Sequence, residues 1–448
     1  MIITSGMGFK KSICRYSLCI AVCVTSSLLL SLPVSAAPGT DQLETRIEKL
    51  EKELNDLKLL LQQQKDETAA KAKEEAGKQK TESPVVSSFK FKPYGYIKLD
   101  AVYDDSRTNY GNYILYVPTE STIKNDNEFS MTARQTRFGV DITAPAANDW
   151  TAQGKVEIDF YGDGSTVHEN KAEIMLRHAF ISLNKGNFSL IAGQTSDLFS
   201  PLNPSALNYT VGWSAGNIGY RRPQIQMIYN ATVNEKNRVI TGLSLARTSG
   251  LTNEDVDNDK QNDGEESGAP TVEARIALAT KSFTEKESTF GISGHYGKEE
   301  VNWVGGKQDL KSWSVNFDFD IPISGKFSIK GEAFKGVNLD DYFGGILQGV
   351  NTVSHDIIKT TGGWAQAGYK LTDKWQYNAG FGLDNPSDRD LNTVDQNKAK
   401  NGFIFLNAQY KPISPLTIGF EYSHWKTEYL NMGNGTDNRF QTSFSYTW

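Results

Sequence analysis

The chain has 448 residues and a formal net charge of −6, from 47 basic and 53 acidic residues. Hydrophobic residues make up only 38%, but aromatics at 11% and 39 glycines argue against disorder in the bulk. Beyond the first 35 residues no apolar run approaches the roughly 18 to 20 residues of a spanning helix, which excludes a polytopic helical membrane protein. A membrane barrel stays open, because its strands alternate lipid-facing and lumen-facing side chains and are polar on average.

The N-terminus reads as a secretory signal. Lys10, Lys11 and Arg15 form a positive region, residues 18–32 are apolar, and Val34-Ser35-Ala36 supplies small residues, so cleavage is expected after Ala36. The apolar stretch is short for an anchor helix. Cys14, Cys19 and Cys23 all fall inside this segment, and Ile20-Ala21-Val22 before Cys23 is a poor lipoprotein signal. A mature chain without thiols has no disulfides, Cys-ligated metal or Cys nucleophile.

Residues 37–62 follow as a predicted coiled coil. Leu43, Ile47, Leu50, Leu54, Leu57 and Leu61 are spaced alternately by four and three, a heptad seam flanked by Glu and Lys. Arg46-Ile47-Glu48-Lys49-Leu50-Glu51 resembles the Arg-h-x-x-h-Glu motif of short trimeric coiled coils, in which Arg pairs with Glu of a neighbouring chain. A single amphipathic helix lying on its own protein is the alternative. The seam lasts under three heptads, too short to hold a trimer unaided. Residues 63–88 decay into Gln, Lys, Glu, Ala and Ser, read as a solvated linker.

From residue 89 to 448 helical periodicity gives way to two-residue alternation. Trp313, Val315, Phe317, Phe319 and Ile321 share one face, and Ser314, Asn316, Asp318 and Asp320 the other. Val156, Ile158 and Phe160 alternate with Lys155, Glu157, Asp159 and Tyr161 in the same way. Sixteen such segments are predicted, beginning near residues 93, 128, 151, 172, 187, 223, 236, 271, 287, 310, 326, 361, 374, 402, 415 and 437.

Short turns alternate with eight long connections, at 104–127, 162–171, 195–222, 248–270, 298–309, 336–360, 384–401 and 425–436. This is the rhythm of an up-and-down 16-stranded antiparallel transmembrane β-barrel, with both ends and the coiled coil in the periplasm. A soluble sandwich fits less well, since its strands average about five or six residues. Phe440, Phe444, Tyr446 and terminal Trp448 share one parity and look like the C-terminal signal read by the barrel assembly machinery of the outer membrane.

Enzyme signatures are missing. His168, His178, His295, His355 and His424 are isolated, and no Gly-x-Ser-x-Gly elbow or phosphate loop occurs. A membrane-embedded lipase with a non-local Ser–His pair is the remaining enzymatic alternative. Arginines are more informative: Arg134, Arg137, Arg177, Arg221, Arg222 and Arg275 are the candidate constriction residues. An Arg facing lipid at the midplane costs about 2–4 kcal/mol, so most of these should face water. Arg134 and Arg137 lie on opposite parities, which requires a rim position or a bulge. The set forms either a basic ladder attracting carboxylate or phosphate groups, or a neutral wall paired with Glu157, Asp159 and Glu173.

The third connection carries Phe199, Pro201, Leu202, Pro204, Leu207, Tyr209 and Trp213, too apolar to wave in solvent. It is expected to fold into the lumen, with a packed rim loop as the alternative. In the fourth, Asp255, Asp257, Asp259, Asp263 and Glu266 fall at positions 1, 3, 5, 9 and 12 of an EF-hand-like loop. Lys260 replaces the glycine of position 6 and no flanking helices are predicted, which favours a solvated acidic loop over calcium or a divalent ion bridging lipopolysaccharide; no metal is assigned.

Taken in order, Tyr94-Gly95-Tyr96-Ile97-Lys98-Leu99-Asp100, Arg134-Gln135-Thr136-Arg137-Phe138-Gly139, Ala192-Gly193-Gln194-Thr195 and Gly219-Tyr220-Arg221-Arg222-Pro223-Gln224 resemble the DcaP-like outer-membrane porins. The resemblance covers nearly the whole mature chain. It implies a homotrimer of 16-stranded barrels with a periplasmic coiled coil, passing small anions, dicarboxylates among them, past constriction arginines. Phosphate-selective porins share the general pattern. The expected function is thus an anion-preferring diffusion porin of a Gram-negative outer membrane, in contact with lipid and lipopolysaccharide, needing no cofactor and no nucleic acid. A barrel that tethers the membrane through its coiled coil is the competing reading. The net charge does not oppose an anion pore, because residues 250–270 alone hold seven acids against one base.

Overall fold

The computed structural model describes residues 88–448, apart from 110, 121–125, 163–170, 249–254 and 396, together with scattered residues between 48 and 65. The latter are helical and exposed; the seam positions Leu43, Ile47, Leu50, Leu54, Leu57 and Leu61 and the signal segment lie outside the described residues. The chain divides into two units, residues 1–83 and 84–448.

The second unit is a closed antiparallel barrel of sixteen strands. They are β1 (Lys90–Asp104), β2 in two segments (Glu128–Thr132 and Arg137–Thr143), β3 (Thr151–Asp159), β4 (Met175–Lys185), β5 (Phe188–Ser196), β6 (Arg221–Thr232), β7 (Asn237–Ala246) and β8 (Thr271–Thr280). The second half comprises β9 (Ser288–Trp303), β10 (Gly306–Pro322), β11 (Phe327–Val337), β12 (Lys359–Lys370), β13 (Trp375–Pro386), β14 (Lys398–Ile413), β15 (Leu416–Tyr429) and β16 (Gly435–Thr447). Each strand pairs with its sequence neighbours, and β1 closes on β16 from Tyr96↔Thr447 to Asp104↔Arg439.

The burial pattern is inverted relative to a water-soluble sheet. Along β10, Ser314, Asn316 and Asp318 are buried while Val315 and Phe317 are exposed. Alternation therefore turns polar side chains to the lumen and leaves an apolar outer surface for hydrocarbon. At the short-turn rim aromatic rings collect, with Trp375 stacked on Tyr410 at 4.5 Å and Trp150 edge-on to Phe188 at 6.5 Å. Such amphipathic rings settle at the membrane–water interface.

The parity conflict between Arg134 and Arg137 is resolved by a bulge. Five residue steps from Thr132 to Arg137 oppose four from Asp100 to Tyr96, so one extra residue reverses the register. The Thr136 hydroxyl takes the place of the missing ladder bond, accepting from Lys98 N–H at 3.2 Å. Two of the connections expected to be long are short, because their strands continue upward. Residues 298–309 form a hairpin tip in which Trp303 pairs with Gly306, and only residues 430–434 separate β15 from β16.

The seam between β1 and β16 depends on close approach at Gly95. A Cβ there would lie 2.3 Å from the Arg137 carbonyl oxygen and 2.8 Å from the Trp448 ring, which itself packs on Phe138 with centroids 5.6 Å apart. We expect Gly95→Leu to destabilise the folded barrel by about 1–3 kcal/mol, the usual cost of overpacking. Heating the detergent-solubilised protein and following conversion of the folded to the unfolded band on gels checks this.

Candidate pore constriction

An extended loop inside a barrel carries N–H groups with no ladder partner, and each must find an acceptor. The third long loop, residues 197–220, finds them on the wall. Leu198 N–H donates to Glu273 Oε2 at 2.7 Å, Leu202 N–H to Glu332 Oε1 at 2.8 Å, Ser205 N–H to Gln366 Oε1 at 2.6 Å and Leu207 N–H to Glu421 Oε2 at 2.7 Å. These acceptors stand on β8, β11, β12 and β15, so the loop follows the inner wall in strand order. Lys98 Nζ then donates to the Leu207 carbonyl at 2.8 Å, and the Tyr209 hydroxyl donates to Asp159 Oδ2 on β3 at 2.9 Å. The loop lies in the lumen.

Its return path passes Gly216, whose φ of +108° suits glycine and where a Cβ would meet the Gly363 carbonyl oxygen at 2.2 Å. Two other loops fold inward upon it. Ile114 and Val117 pack with Ala215, Phe403, Phe405 and Trp425, while Leu339 and Tyr342 pack with Phe199, Ile218 and Phe334. Between them Tyr113, Tyr161, Tyr209, Trp213, Tyr220 and Phe343 form a buried aromatic cluster. Tyr161 stacks on Tyr209 at 4.0 Å, and Trp213 on Phe343 at 4.4 Å. Burial raises the pKa of Tyr113 and Tyr209, so both phenols remain neutral donors at physiological pH.

The six candidate arginines separate into two groups. Arg134, Arg137, Arg177 and Arg221 gather round the aromatic cluster. Arg177 is held by Glu157 Oε1 at 2.8 Å, Asp159 Oδ2 at 2.6 Å and the Tyr209 hydroxyl at 2.9 Å. Arg137 shares the same carboxylates, 3.5 Å from Glu157 and 4.0 Å from Asp159. Arg134 lies 4.6 Å over the Tyr161 ring and donates to Asn112 at 3.3 Å. Arg221 lies 4.2 Å over the Tyr220 ring, and its buried Nε has no hydrogen-bond partner. Among the described residues no carboxylate lies within ion-pair distance of Arg221.

Arg222 and Arg275 sit elsewhere. Arg222 is fully enclosed, donating to Asp197 Oδ1 at 2.8 Å, the Thr248 carbonyl at 2.9 Å and the Asp341 carbonyl at 3.2 Å. It ties three loops together. Arg275 forms a two-point pair with Asp318 at 3.1 and 2.5 Å and belongs to the wall.

The residues that pin the third loop, Glu273, Glu332, Gln366, Glu421 and Lys98, were invisible to motif reading. Each sits on the lumen parity of its strand, but its partner is a backbone group up to 214 positions away. Arg439, buried against Asp104 at 2.7 Å, was missed for the same reason.

A family model described as DcaP outer membrane protein matches residues 34–283. Comparison with curated proteins finds no match. Among solved structures, the outer membrane channel DcaP of Acinetobacter baumannii aligns with a TM-score of 0.64 at 20% identity, covering 82% of this chain and 99% of that one. An anion-selective porin from Comamonas acidovorans aligns at 0.52 with 11% identity, covering 80% and 100%. Salmonella typhi OmpF aligns at 0.52 with 13% identity, covering 81% and 98%. At these identities the likeness is one of fold.

Removing wall acceptors should free the third loop. Leaving a buried donor unsatisfied costs about 1–3 kcal/mol, so the double variant Glu332→Ala with Glu421→Ala is expected to keep its barrel yet expose residues 198–209 to protease. Limited proteolysis with mass mapping of the cut sites reads this out.

Proposed function

The chain belongs to the DcaP outer membrane protein family, and from that premise we propose that it is an outer-membrane diffusion channel preferring small anions, with dicarboxylates the favoured class. The reading places its coiled coil in the periplasm and three copies in the working assembly. Under three heptads are marginal alone, so the barrel flanks share the work of association.

The observation that carries the anion preference is Arg221, a guanidinium at the root of the lumen loop, packed on Tyr220 without a carboxylate partner among the described residues. Arg137 and Arg177 share Glu157 and Asp159, so that set is neutral as a unit. A planar cation on an aromatic face keeps its fork of donors presented toward a passing carboxylate. Loops packed against the wall surround it with low-dielectric material, which strengthens its potential relative to an open bath. The neutral phenol of Tyr113 adds a donor that does not repel an anion, whereas that of Tyr209 is committed to Asp159. A monovalent anion is attracted by the same field, and a dicarboxylate gains by meeting two guanidinium groups in succession.

Planar-bilayer recording under a salt gradient tests the reading. Arg221→Ala should move the reversal potential toward the cation side. Replacing the paired couple Arg275→Gln with Asp318→Asn should leave it unchanged, because that pair is neutral as a unit. Equal selectivity of wild type and Arg221→Ala would sink the proposal.

A further inference from the structure

The acidic segment of the fourth long loop is folded, and its arrangement differs from the solvated loop expected of it. Lys260 adopts φ +73°, so the chain makes the left-handed turn at position 6 that the missing glycine had put in doubt. A four-residue helical turn, Asp263–Glu266, follows, with Asn262 as its cap. The Asp255, Asp257 and Asp263 carboxylates converge, each offering an oxygen within 4.8 Å of the others.

Two facts make this cluster more than a run of surface acids. The Asp263 side chain is fully buried, and although its Oδ2 accepts from Val256 N–H at 2.7 Å, its Oδ1 has no partner. Glu266 Oε2 is likewise buried and without a partner. Among the described residues no basic side chain lies within ion-pair distance of Asp255, Asp257, Asp259, Asp263 or Glu266. A buried carboxylate oxygen aimed among other carboxylates is repelled by them and desolvated at once, which an isolated protein surface would relieve by opening. A cation at the centre relieves both.

We propose that Asp255, Asp257 and Asp263 hold a calcium ion, with water completing its oxygen shell. All the donors are hard oxygens from flexible carboxylates and water, able to supply the six to eight ligands that calcium accepts, whereas magnesium demands a stricter octahedron and retains its waters. The ion would couple the loop to the tip of the β9–β10 hairpin. Asn302 at that tip donates its backbone N–H to Asp257 and its side-chain amide to Asp259 Oδ2 at 3.0 Å. Calcium here would order the fourth long loop against that hairpin.

The test uses full-length protein refolded without lipopolysaccharide in detergent, stripped with chelator and titrated calorimetrically with calcium chloride alone. About one ion per chain should bind, with a dissociation constant on the order of 10⁻⁴ to 10⁻³ M, the range of extracellular calcium modules. Asp263→Asn should weaken binding about tenfold or more through the lost ligand charge. Asp257→Asn, at a partly exposed position, repeats the measurement if the first variant does not fold. Absence of stoichiometric binding, binding that appears only when lipopolysaccharide is added, or unchanged affinity in the folded variants would each overturn the site.

Discussion

Everything distinctive inside this barrel depends on how the backbone amides of residues 197–220 are satisfied. A chain segment crossing a lumen has no strand ladder to supply acceptors for its N–H groups. The wall supplies acceptors instead: Glu273, Glu332, Gln366 and Glu421, one per strand, each taking one amide at 2.6 to 2.8 Å. Each bond fixes direction as well as distance. The order of the acceptors round the barrel therefore dictates the path of the loop. The inward packing of the neighbouring loops and the aromatic cluster follow from that path.

The same wall decides which arginines are available to a solute. Arg177 and Arg137 share two carboxylates, Arg275 is matched by Asp318, and Arg222 is consumed in binding three loops together. Six arginines of one sequence pattern thus divide into structural clamps, wall pairs and a small set at the aromatic cluster. Arg221 differs from its neighbour Arg222 by one position in β6, which sends the two side chains to different surroundings. The acidic excess of the chain is held mostly outside this region, in a loop whose carboxylates converge on one another.

How far the sequence was legible follows from range. Strand number, strand parity and most turn positions depend on neighbours two residues apart, and the sixteen alternating segments correspond closely to the sixteen strands. The errors arose where a local rule met a distant one. The hairpin at Trp303 and Gly306 lies beyond the apolar belt, where polar strands no longer alternate visibly. The bulge between Thr132 and Arg137 shows in the sequence only as a conflict of parity, and residue type alone disfavours the positive φ that Lys260 adopts.

The sequence by itself determined the barrel, because alternation is a nearest-neighbour property that needs no knowledge of what a strand will pair with. It also pointed to an inward fold for the third loop, whose apolar residues need burial, but left a packed rim loop open as the alternative. Only the tertiary structure decided which charges compensate one another. Leu207 and Glu421 are 214 positions apart, and Arg439 and Asp104 are 335. Such pairs exist only once the chain has closed: Arg439 meets Asp104 where β16 joins β1, and Leu207 meets Glu421 where the third loop lies against β15.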